Sequence, residues 1–144
     1  MKIAIASDHG GYDLKESLKC YLAGKGYDIL DCGCNNKESV DYPDFARAAA
    51  KKVAAGECDK GIVICTTGIG VSITANKIKG IRAALCCNEH MAKMTRLHND
   101  SNVLAIGAAI VSQEEAKVIT DTFLTTDFSG EERHQRRIDK IEEL

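Results

Sequence analysis

Short apolar runs alternate with helix-like segments along the whole chain, and this alternation constrains the fold more than any other feature. Five runs predict strands, and the third of them, KGIVIC, is almost continuously apolar, as in strands that are buried on both faces of a sheet. Alternation of this kind predicts a parallel sheet with helices on both of its faces. The predicted strands span residues 2–7, 27–32, 60–65, 81–87 and 102–106.

Helix signals occupy the segments between these strands. Pro43 suits the first turn of a helix, and Asn88 is a typical N-cap residue. The charged stretch 131–144 carries Ile138 and Ile141 on one side, so it predicts a terminal helix that needs a surface to lie on. Two pairs of residues have the spacing of a capping box: Asp13 with Glu16, and Ser112 with Glu115.

Length and composition exclude several classes of protein. The 144 residues fit one domain, 1–144, and 44% hydrophobic with 28% charged residues excludes a disordered chain. A net charge of -2 argues against a nucleic-acid partner. No apolar run approaches the roughly 18 residues of a membrane span, and the N-terminus reads as a strand rather than a signal peptide. We therefore expect neither nucleic acid nor membrane as a partner.

The seven cysteines, an odd number, predict a reducing, cytoplasmic compartment, because disulfide frameworks belong mainly to short secreted chains. The spacings Cys32-x-Cys34 and Cys86-Cys87 do not match the paired CxxC motifs of zinc sites. We therefore predict no metal site. Three cysteines are assigned to packing alone: Cys20, Cys58 and Cys86.

Polar and glycine-containing segments follow three of the strands. Residues 8–11 follow the first strand, residues 65–70 follow the third, and part of the segment 88–99 follows the fourth. Ligands of open parallel sheets bind beyond the carboxyl ends of the strands, where the strand order reverses. We therefore expect these three segments to converge on one edge of the sheet.

The segment CTTGIGVS places a cysteine at the end of a buried strand and two glycines before a helix. Glycines allow successive backbone N–H groups to face one concavity, which suits a phosphate or an oxyanion formed in a reaction. The same positive potential would make Cys65 a base or a nucleophile. A tight turn with a buried structural cysteine explains the pattern equally well, and the motif is neither a P-loop nor a dinucleotide fingerprint.

Three further groups of side chains have the chemistry of a site, and each also has an ordinary structural explanation. Asp8 and His9 place a carboxylate and an imidazole after the first strand, where an exposed turn is the alternative. His98 suits proton transfer near neutral pH, although a single histidine is more often a surface residue. Arg133 and Arg137 share one helix face and suit a phosphate dianion, although a solvated charged helix is the commoner outcome.

Five segments together resemble the B-type ribose-5-phosphate isomerases and their hexose-phosphate isomerase relatives. They are SDHGGYDLKE, SVDYPDFA, CTTGIGVSITANKIKGIRAAL, MTRLHNDSNVLAIG and RHQRRIDKI, in order between residues 7 and 141. The resemblance implies an aldose–ketose isomerase of the pentose phosphate pathway, which interconverts ribose 5-phosphate and ribulose 5-phosphate without a metal or an organic cofactor. It also implies a Rossmann-like, three-layer α/β/α fold with a five-stranded parallel sheet. The implied assembly is a homodimer, which could pair into a tetramer, with active sites at the interface and the C-terminal helix packed on the partner subunit.

The same resemblance implies a role for each residue that matches a family motif. Cys65 would be the base that moves a proton between C1 and C2 through an enediolate, Thr67 the proton-shuttling hydroxyl, and His98 the ring-opening histidine. The implied anion hole is formed by the backbone of Thr66, Thr67, Gly68, Ile69, Gly70 and Val71. The implied sugar contacts are Asp8, Asp41, Tyr42 and Asn99. The implied phosphate contacts, part of them lent by the partner subunit, are His9, Arg133 and Arg137.

Two positions depart from the family pattern. Thr66 stands where a glycine usually follows the cysteine, and Ala109 stands where an arginine usually helps to bind phosphate. One extra residue also precedes Arg133. These departures leave open an isomerase of a hexose 6-phosphate, such as allose or galactose 6-phosphate. They also leave open a non-catalytic sugar-phosphate binding module, and the cysteine motif by itself is compatible with a hydrolase in which Cys65 is the nucleophile.

Overall fold

Five parallel strands form one sheet in the computed structural model, which describes residues 1–144. Their order in the sheet is β2-β1-β3-β5-β4, and every neighbouring pair is parallel. The predicted parallel sheet is therefore confirmed, and its first and third strands have the predicted bounds. The strands are β1 (Lys2–Ser7), β2 (Asp28–Asp31), β3 (Lys60–Cys65), β4 (Ala83–Leu85) and β5 (Val103–Gly107).

Six helices connect and cover the strands. They are α1 (Tyr12–Gly24), α2 (Tyr42–Ala54), α3 (Ile69–Ala75), α4 (Glu89–Asn99), α5 (Gln113–Thr125) and α6 (Glu132–Glu142), and a short 3-10 turn, His9–Gly11, precedes α1. None of these helices is both long and apolar enough to cross a bilayer.

The helices lie on both faces of the sheet, which gives the three layers that the sequence predicts. On one face, α1, α4 and α5 bury large side chains such as Leu18 and Phe123 against Ile5. On the other face, α2 and α3 present small side chains such as Ala49 to Ala6. Because alanines allow a close approach of backbones, α2 packs directly on β1 and β3. The sheet is thus enclosed, and its ligand-accessible parts are its two edges.

The start of α1 differs from the prediction. Asp13 lies inside the first turn of α1 and does not cap it. Instead, the carboxylate of Asp8 accepts the N–H of Gly11 at 3.1 Å and starts the 3-10 turn that precedes the helix. The prediction was wrong because the upstream carboxylate already satisfies the first N–H group, and it ties Asp8 to the end of β1.

The other capping predictions are confirmed. Ser112 and Glu115 form a reciprocal capping box at the start of α5. Asn88 accepts the N–H of Met91 at 2.9 Å, and Pro43 occupies the first turn of α2. These local signals fix where the helices begin on the sheet, and with them the loops that precede them.

The terminal helix α6 packs on its own chain. Its inner residues His134 and Ile138 are buried, and the helix contacts α4. Arg82, directly before β4, donates to the Glu142 carboxylate at 2.6 Å. The chain itself therefore supplies the surface that the inner face of this helix needs, while Ile141, one turn beyond Ile138, remains exposed.

Candidate active site

Cys65 ends the central strand β3, and its side chain is only 5% exposed. The N–H of Gly68 donates to its Sγ at 3.1 Å, and such a donor stabilises negative charge on the sulfur. Gly68 has a φ of 78°, and a Cβ there would come within 2.8 Å of the carbonyl carbon of Ile106. The turn therefore requires glycine at this position, both for its backbone angle and for its close packing.

The loop that follows β5 holds the loop that follows Cys65. The N–H of Ala108 donates to the Cys65 carbonyl, and the N–H of Ala109 donates to the Thr66 carbonyl, both at 2.9 Å. These two bonds continue the pairing of β3 with β5 beyond the strands. Ala109 therefore lies beside Thr66, so the two departures from the family pattern are neighbours.

Backbone N–H groups without an acceptor surround this turn. The N–H of Ile69 donates to the Thr67 hydroxyl at 3.3 Å, and that of Gly68 donates to sulfur. The remaining N–H groups of the predicted anion hole have no acceptor within the protein, and they belong to Thr66, Thr67, Gly70 and Val71. Free N–H groups grouped in one turn suit a negatively charged oxygen.

The loop after β1 packs against the end of β3, as expected. The N–H of Asp8 donates to the Ile64 carbonyl at 3.2 Å. A Cβ on Gly11 would come within 2.8 Å of the same carbonyl oxygen, and a Cβ on Gly10 would overlap the Thr66 hydroxyl. Two adjacent glycines thus allow the Asp8 carboxylate to lie next to the Cys65 turn.

His9 is exposed, and its Nδ1 accepts the N–H of Val40 at 3.2 Å. This bond assigns the proton of the neutral imidazole to Nε2. Val40 directly precedes Asp41 and Tyr42, the predicted sugar-contact loop. The Tyr42 ring lies against the first turn of α3, because a Cβ on Gly70 would come within 2.6 Å of its Cζ. The exposed carboxylate of Asp41 makes no capping bond.

His98 and Asn99 lie at the opposite edge of the sheet. They end α4, whose direction is opposite to that of the strands. The Asn99 carbonyl accepts the Arg82 Nε–H at 2.9 Å, directly before β4. Three residues after Asn99, the carbonyl of Asn102 accepts the N–H of Gly61, at the start of β3, at 2.9 Å. We call the edge formed by the amino ends of the strands, where His98 and Asn99 lie, the amino edge. The edge formed by their carboxyl ends, where Cys65 lies, is the carboxyl edge.

One chain therefore does not bring all the predicted site residues together. Strand β3 has six residues, so the two edges are separated by about 16 Å at 3.3 Å per residue. Of the predicted converging segment 88–99, only its start lies at the carboxyl edge. His98 and Asn99, at the end of that segment, lie at the amino edge, because the helix after β4 returns its last turn there.

The amino edge carries an imidazole stack and two arginines. The rings of His98 and His134 are 4.2 Å apart and inclined by 18°. His134 is buried, its Nε2 has no partner, and desolvation lowers its pKa, an effect reinforced by the charges of His98 and Arg133. Arg133 and Arg137 flank this histidine in the sequence of α6, and both are exposed.

The remaining cysteines are free thiols. Cys58 and Cys86 are buried, which fits their assignment to packing, whereas Cys20 is exposed, so its assignment to packing was wrong. Burial raises the pKa of Cys86 to about 12. The structure contains no group of three or more His, Cys, Asp or Glu side chains that could hold a metal ion.

Sequence analysis did not single out Lys15, which the structure places wholly inside the protein in contact with Asp31. Its position next to the apolar stripe of α1 was the only available signal. The partner is 16 residues away on another element, so no local pattern links the two.

A thiol, a carboxylate and free N–H groups at the switch point of a parallel sheet define a class: α/β enzymes that act on a small anionic molecule. Comparison with known proteins agrees. The family model described as Ribose/Galactose Isomerase matches residues 3–141. A putative sugar phosphate isomerase of Bacillus subtilis is 50% identical over 142 residues, which are 98% of this chain and 95% of that protein.

Two relatives carry a more specific name. Ribose-5-phosphate isomerase B of Escherichia coli is 45% identical over 140 residues, which are 97% of this chain and 93% of that protein. The solved structure of ribose-5-phosphate isomerase B from Clostridium thermocellum has a TM-score of 0.98 at 53% identity, and the match covers 99% of this chain and 96% of that one. The chain therefore belongs to the ribose/galactose isomerase family, and it is an aldose–ketose isomerase.

Proposed function

We propose that this enzyme interconverts ribose 5-phosphate and ribulose 5-phosphate. The observation that carries the proposal is the Cys65 thiol, held by the Gly68 N–H at 3.1 Å beside a turn of free N–H groups. Relatives named ribose-5-phosphate isomerase B match nearly the whole chain, which supports this sugar as the substrate.

The reaction begins with the open-chain aldose, whose C2–H is made acidic by the adjacent carbonyl. Cys65, as thiolate, takes the C2 proton, the electron pair forms the C1–C2 double bond, and O1 becomes the oxyanion of an enediolate. The thiol then returns its proton to C1, and the proton on O2 leaves, so that C2 becomes the carbonyl. A base in reach contributes about 10²–10⁴-fold to such a step.

The anion hole and the Thr67 hydroxyl act on O1 and O2 of the sugar. The free N–H groups of Thr66, Thr67, Gly70 and Val71 stabilise the enediolate oxyanion, at about 3 kcal/mol per well-placed donor. The Thr67 hydroxyl, which accepts the Ile69 N–H, passes protons between O1 and O2. Because the donors are backbone groups in a packed turn, they need no rearrangement as charge develops.

The substrate is held at both ends. Asp8, Asp41, Tyr42 and Asn99 contact the sugar hydroxyls, and His98 opens the ring. His9, with its Nε2–H free to donate, grips the phosphate together with Arg133 and Arg137, whose guanidinium groups suit a dianion. Binding energy taken up at the phosphate positions C1 and C2 against the thiol.

A second copy of the chain completes each site in this proposal. Because the two edges are separated by about 16 Å of sheet, Cys65 of one subunit meets His98, Asn99 and the arginines of the other. The outer face of α3 supports such an assembly, since Ile69 and Ile73, one turn apart beside the Cys65 turn, are 52% and 57% exposed. A two-fold dimer creates two equal sites.

The test is the formation of ribulose 5-phosphate from ribose 5-phosphate by chelator-treated protein. We expect turnover by the native enzyme, and a loss of about 10³-fold in kcat with Cys65→Ala, the loss of a positioned base. Cys86→Ala, which removes a buried thiol outside the site, is the matched control and retains full turnover. Equal rates for Cys65→Ala and the control would exclude Cys65 as the base.

A second candidate substrate is a hexose 6-phosphate, and the alanine at position 109 favours it. Ala109 is exposed beside Thr66, so the carboxyl edge lacks the arginine that the family pattern places there. A longer sugar phosphate would reach past this position without needing that charge. The ratio of kcat/KM for allose 6-phosphate and ribose 5-phosphate decides between the two, and we expect ribose 5-phosphate to be preferred.

A further inference from the structure

Lys15 is one of the largest side chains that the protein buries completely. Its Nζ donates to both carboxylate oxygens of Asp31, at 2.9 Å and 2.8 Å, and lies 5.4 Å from the centroid of the Tyr12 ring. The ammonium group therefore has a hydrogen-bonded carboxylate and an aromatic ring as its neighbours. The Asp31 side chain is 26% exposed, so the pair is largely but not wholly buried. Replacement of buried ion pairs by apolar residues of similar size is often neutral or stabilising. Stability alone therefore does not explain a lysine at this position.

The partner of Lys15 connects α1 to the loop that follows β2. Asp31 ends β2, and its Oδ1 also accepts the N–H of Gly33 at 2.9 Å, while its Oδ2 accepts Lys19 at 2.6 Å. Burial by itself raises the pKa of Asp31, but the hydrogen bonds from Lys15, Lys19 and Gly33 outweigh it and lower the pKa overall. The carboxylate thus stays ionised, with every acceptor site occupied.

Gly33 in turn is bonded to the end of β1. The N–H of Ser7 donates to the Gly33 carbonyl at 2.7 Å, and the N–H of Cys34 donates to the Ser7 carbonyl at 2.9 Å. Ser7 directly precedes Asp8 and His9. At its far end, the same loop returns to this point, because the Val40 N–H donates to His9 Nδ1. The loop 33–40 is therefore bonded to Ser7 at one end and to His9 at the other.

We propose that Lys15 is a positioning residue of the active site, which acts through Asp31 and Gly33 to hold the loop 33–40 and so orient the imidazole of His9. Lys15 itself does not touch the substrate. The proposal rests on the proposed function, in which His9 grips the phosphate, and it explains why a charged side chain is retained inside the protein. A loosened loop frees His9 Nδ1 and weakens the grip, while the Cys65 turn is unaffected.

Three variants test this role. Lys15→Met removes the buried charge at similar volume, and Lys15→Met/Asp31→Leu removes the whole pair together with the acceptor of Gly33. Lys19→Met is the matched control, since it removes the other lysine on Asp31 and leaves Lys15 in place. The measurements are KM and kcat with ribose 5-phosphate, the hydrogen exchange of the Val40 amide, and the 15N resonances of the His9 imidazole. Thermal melts verify that each variant folds.

We expect both Lys15 variants to raise KM about tenfold with kcat within about threefold of native, the pattern of a lost contact that ground state and transition state share equally. Val40 exchange becomes at least about tenfold faster, and the His9 resonances change from one tautomer to a mixture. The proposal is overturned if KM, exchange and resonances all match those of Lys19→Met. Failure of both Lys15 variants to fold also overturns it, because the pair would then serve the fold alone. Should the native enzyme not use ribose 5-phosphate, the proposed function fails, and exchange and resonances still decide the role of Lys15.

Discussion

The two edges of the sheet are built in different ways. At the carboxyl edge, glycines bring three loops into backbone contact, and the main chain provides the N–H groups of the proposed anion hole. A Cβ on Gly107, for example, would lie 2.5 Å from the Thr67 carbonyl oxygen. At the amino edge, side chains make the contacts, through the His98–His134 stack and the Arg82–Glu142 pair. The carboxyl edge is rigid because backbone contacts hold it, whereas the geometry of the amino edge depends on how α6 packs.

In the proposed mechanism, the two edges have different chemical roles. Stabilising an enediolate requires donors that are in place before charge develops, and backbone N–H groups in a packed turn satisfy that requirement. Gripping a phosphate requires charge and reach, which arginines on a surface helix provide. The comparison predicts that substitutions in the Cys65 turn act on kcat, and that substitutions of the α6 arginines act on KM.

Among the substitutions that compare the two edges, Gly68→Ala is expected to have the largest effect. Its φ of 78° and its contact with the backbone of Ile106 leave no room for a methyl group, so we expect a loss of about 3 kcal/mol in the free energy of unfolding and about 100-fold in kcat. Gly80→Ala is the matched control, because Gly80 has a φ of 85° in open space. It should lose about 1 kcal/mol with unchanged kcat. Urea unfolding measures the free energy of unfolding of both variants, and steady-state rates measure their kcat. Equal losses in Gly68→Ala and Gly80→Ala would show that the Cys65 turn has no special need for glycine.

Arg137→Ala is expected to have an intermediate effect. Removing one guanidinium of the phosphate grip should raise KM about tenfold and leave kcat within about twofold. The exposed side chain has no ion pair within the chain, so the thermal midpoint should stay unchanged. Arg136→Ala, next to it in α6 and equally exposed, is the control and should keep the native KM. A fall in kcat without a change in KM would place Arg137 in the chemical step instead.

The smallest effect concerns acid stability at the amino edge. Burial lowers the pKa of folded His134, and nearby Arg133 and Arg137 act in the same direction while Glu131 opposes them. Below the unfolded-state pKa of about 6.5, the unfolded chain binds a proton that the folded chain does not. Stability is therefore complete above that pH and declines as the pH falls toward the folded pKa.

His134→Phe keeps a ring against His98 and removes this titration. We expect urea midpoints between pH 7.5 and pH 5.5 to decline less in the variant than in the native protein. Parallel declines in the two proteins would show that His134 is not the group responsible.

Much of this architecture could be predicted from the sequence because the strongest signals are local. The continuous apolar runs of β1 and β3 predicted the correct bounds, whereas β4 is only three residues long, shorter than the predicted span 81–87. The glycines in segments 8–11 and 65–70 also correctly predicted which loops lie together at the carboxyl edge. They do so because a close backbone approach requires glycine wherever it occurs.

The missed features depend on contacts between distant parts of the chain. The Lys15–Asp31 pair joins two elements, and the His98–His134 stack joins residues 36 positions apart, so no spacing pattern reveals either one. The placement of His98 at the amino edge was accessible in principle. A helix between parallel strands must run opposite to them, so its last turn lies where the next strand begins.

The central claim is that each active site joins the carboxyl edge of one subunit to the amino edge of another, and subunit mixing tests it directly. Cys65→Ala and His98→Asn proteins, each nearly inactive, are combined in equal amounts, dissociated and allowed to reassociate, with hybrids counted by native mass spectrometry. Random pairing makes half of the dimers hybrids with one intact site each, so the account predicts recovery of about a quarter of native activity. Activity that stays at the sum of the two separate variants, with hybrids present, would contradict it.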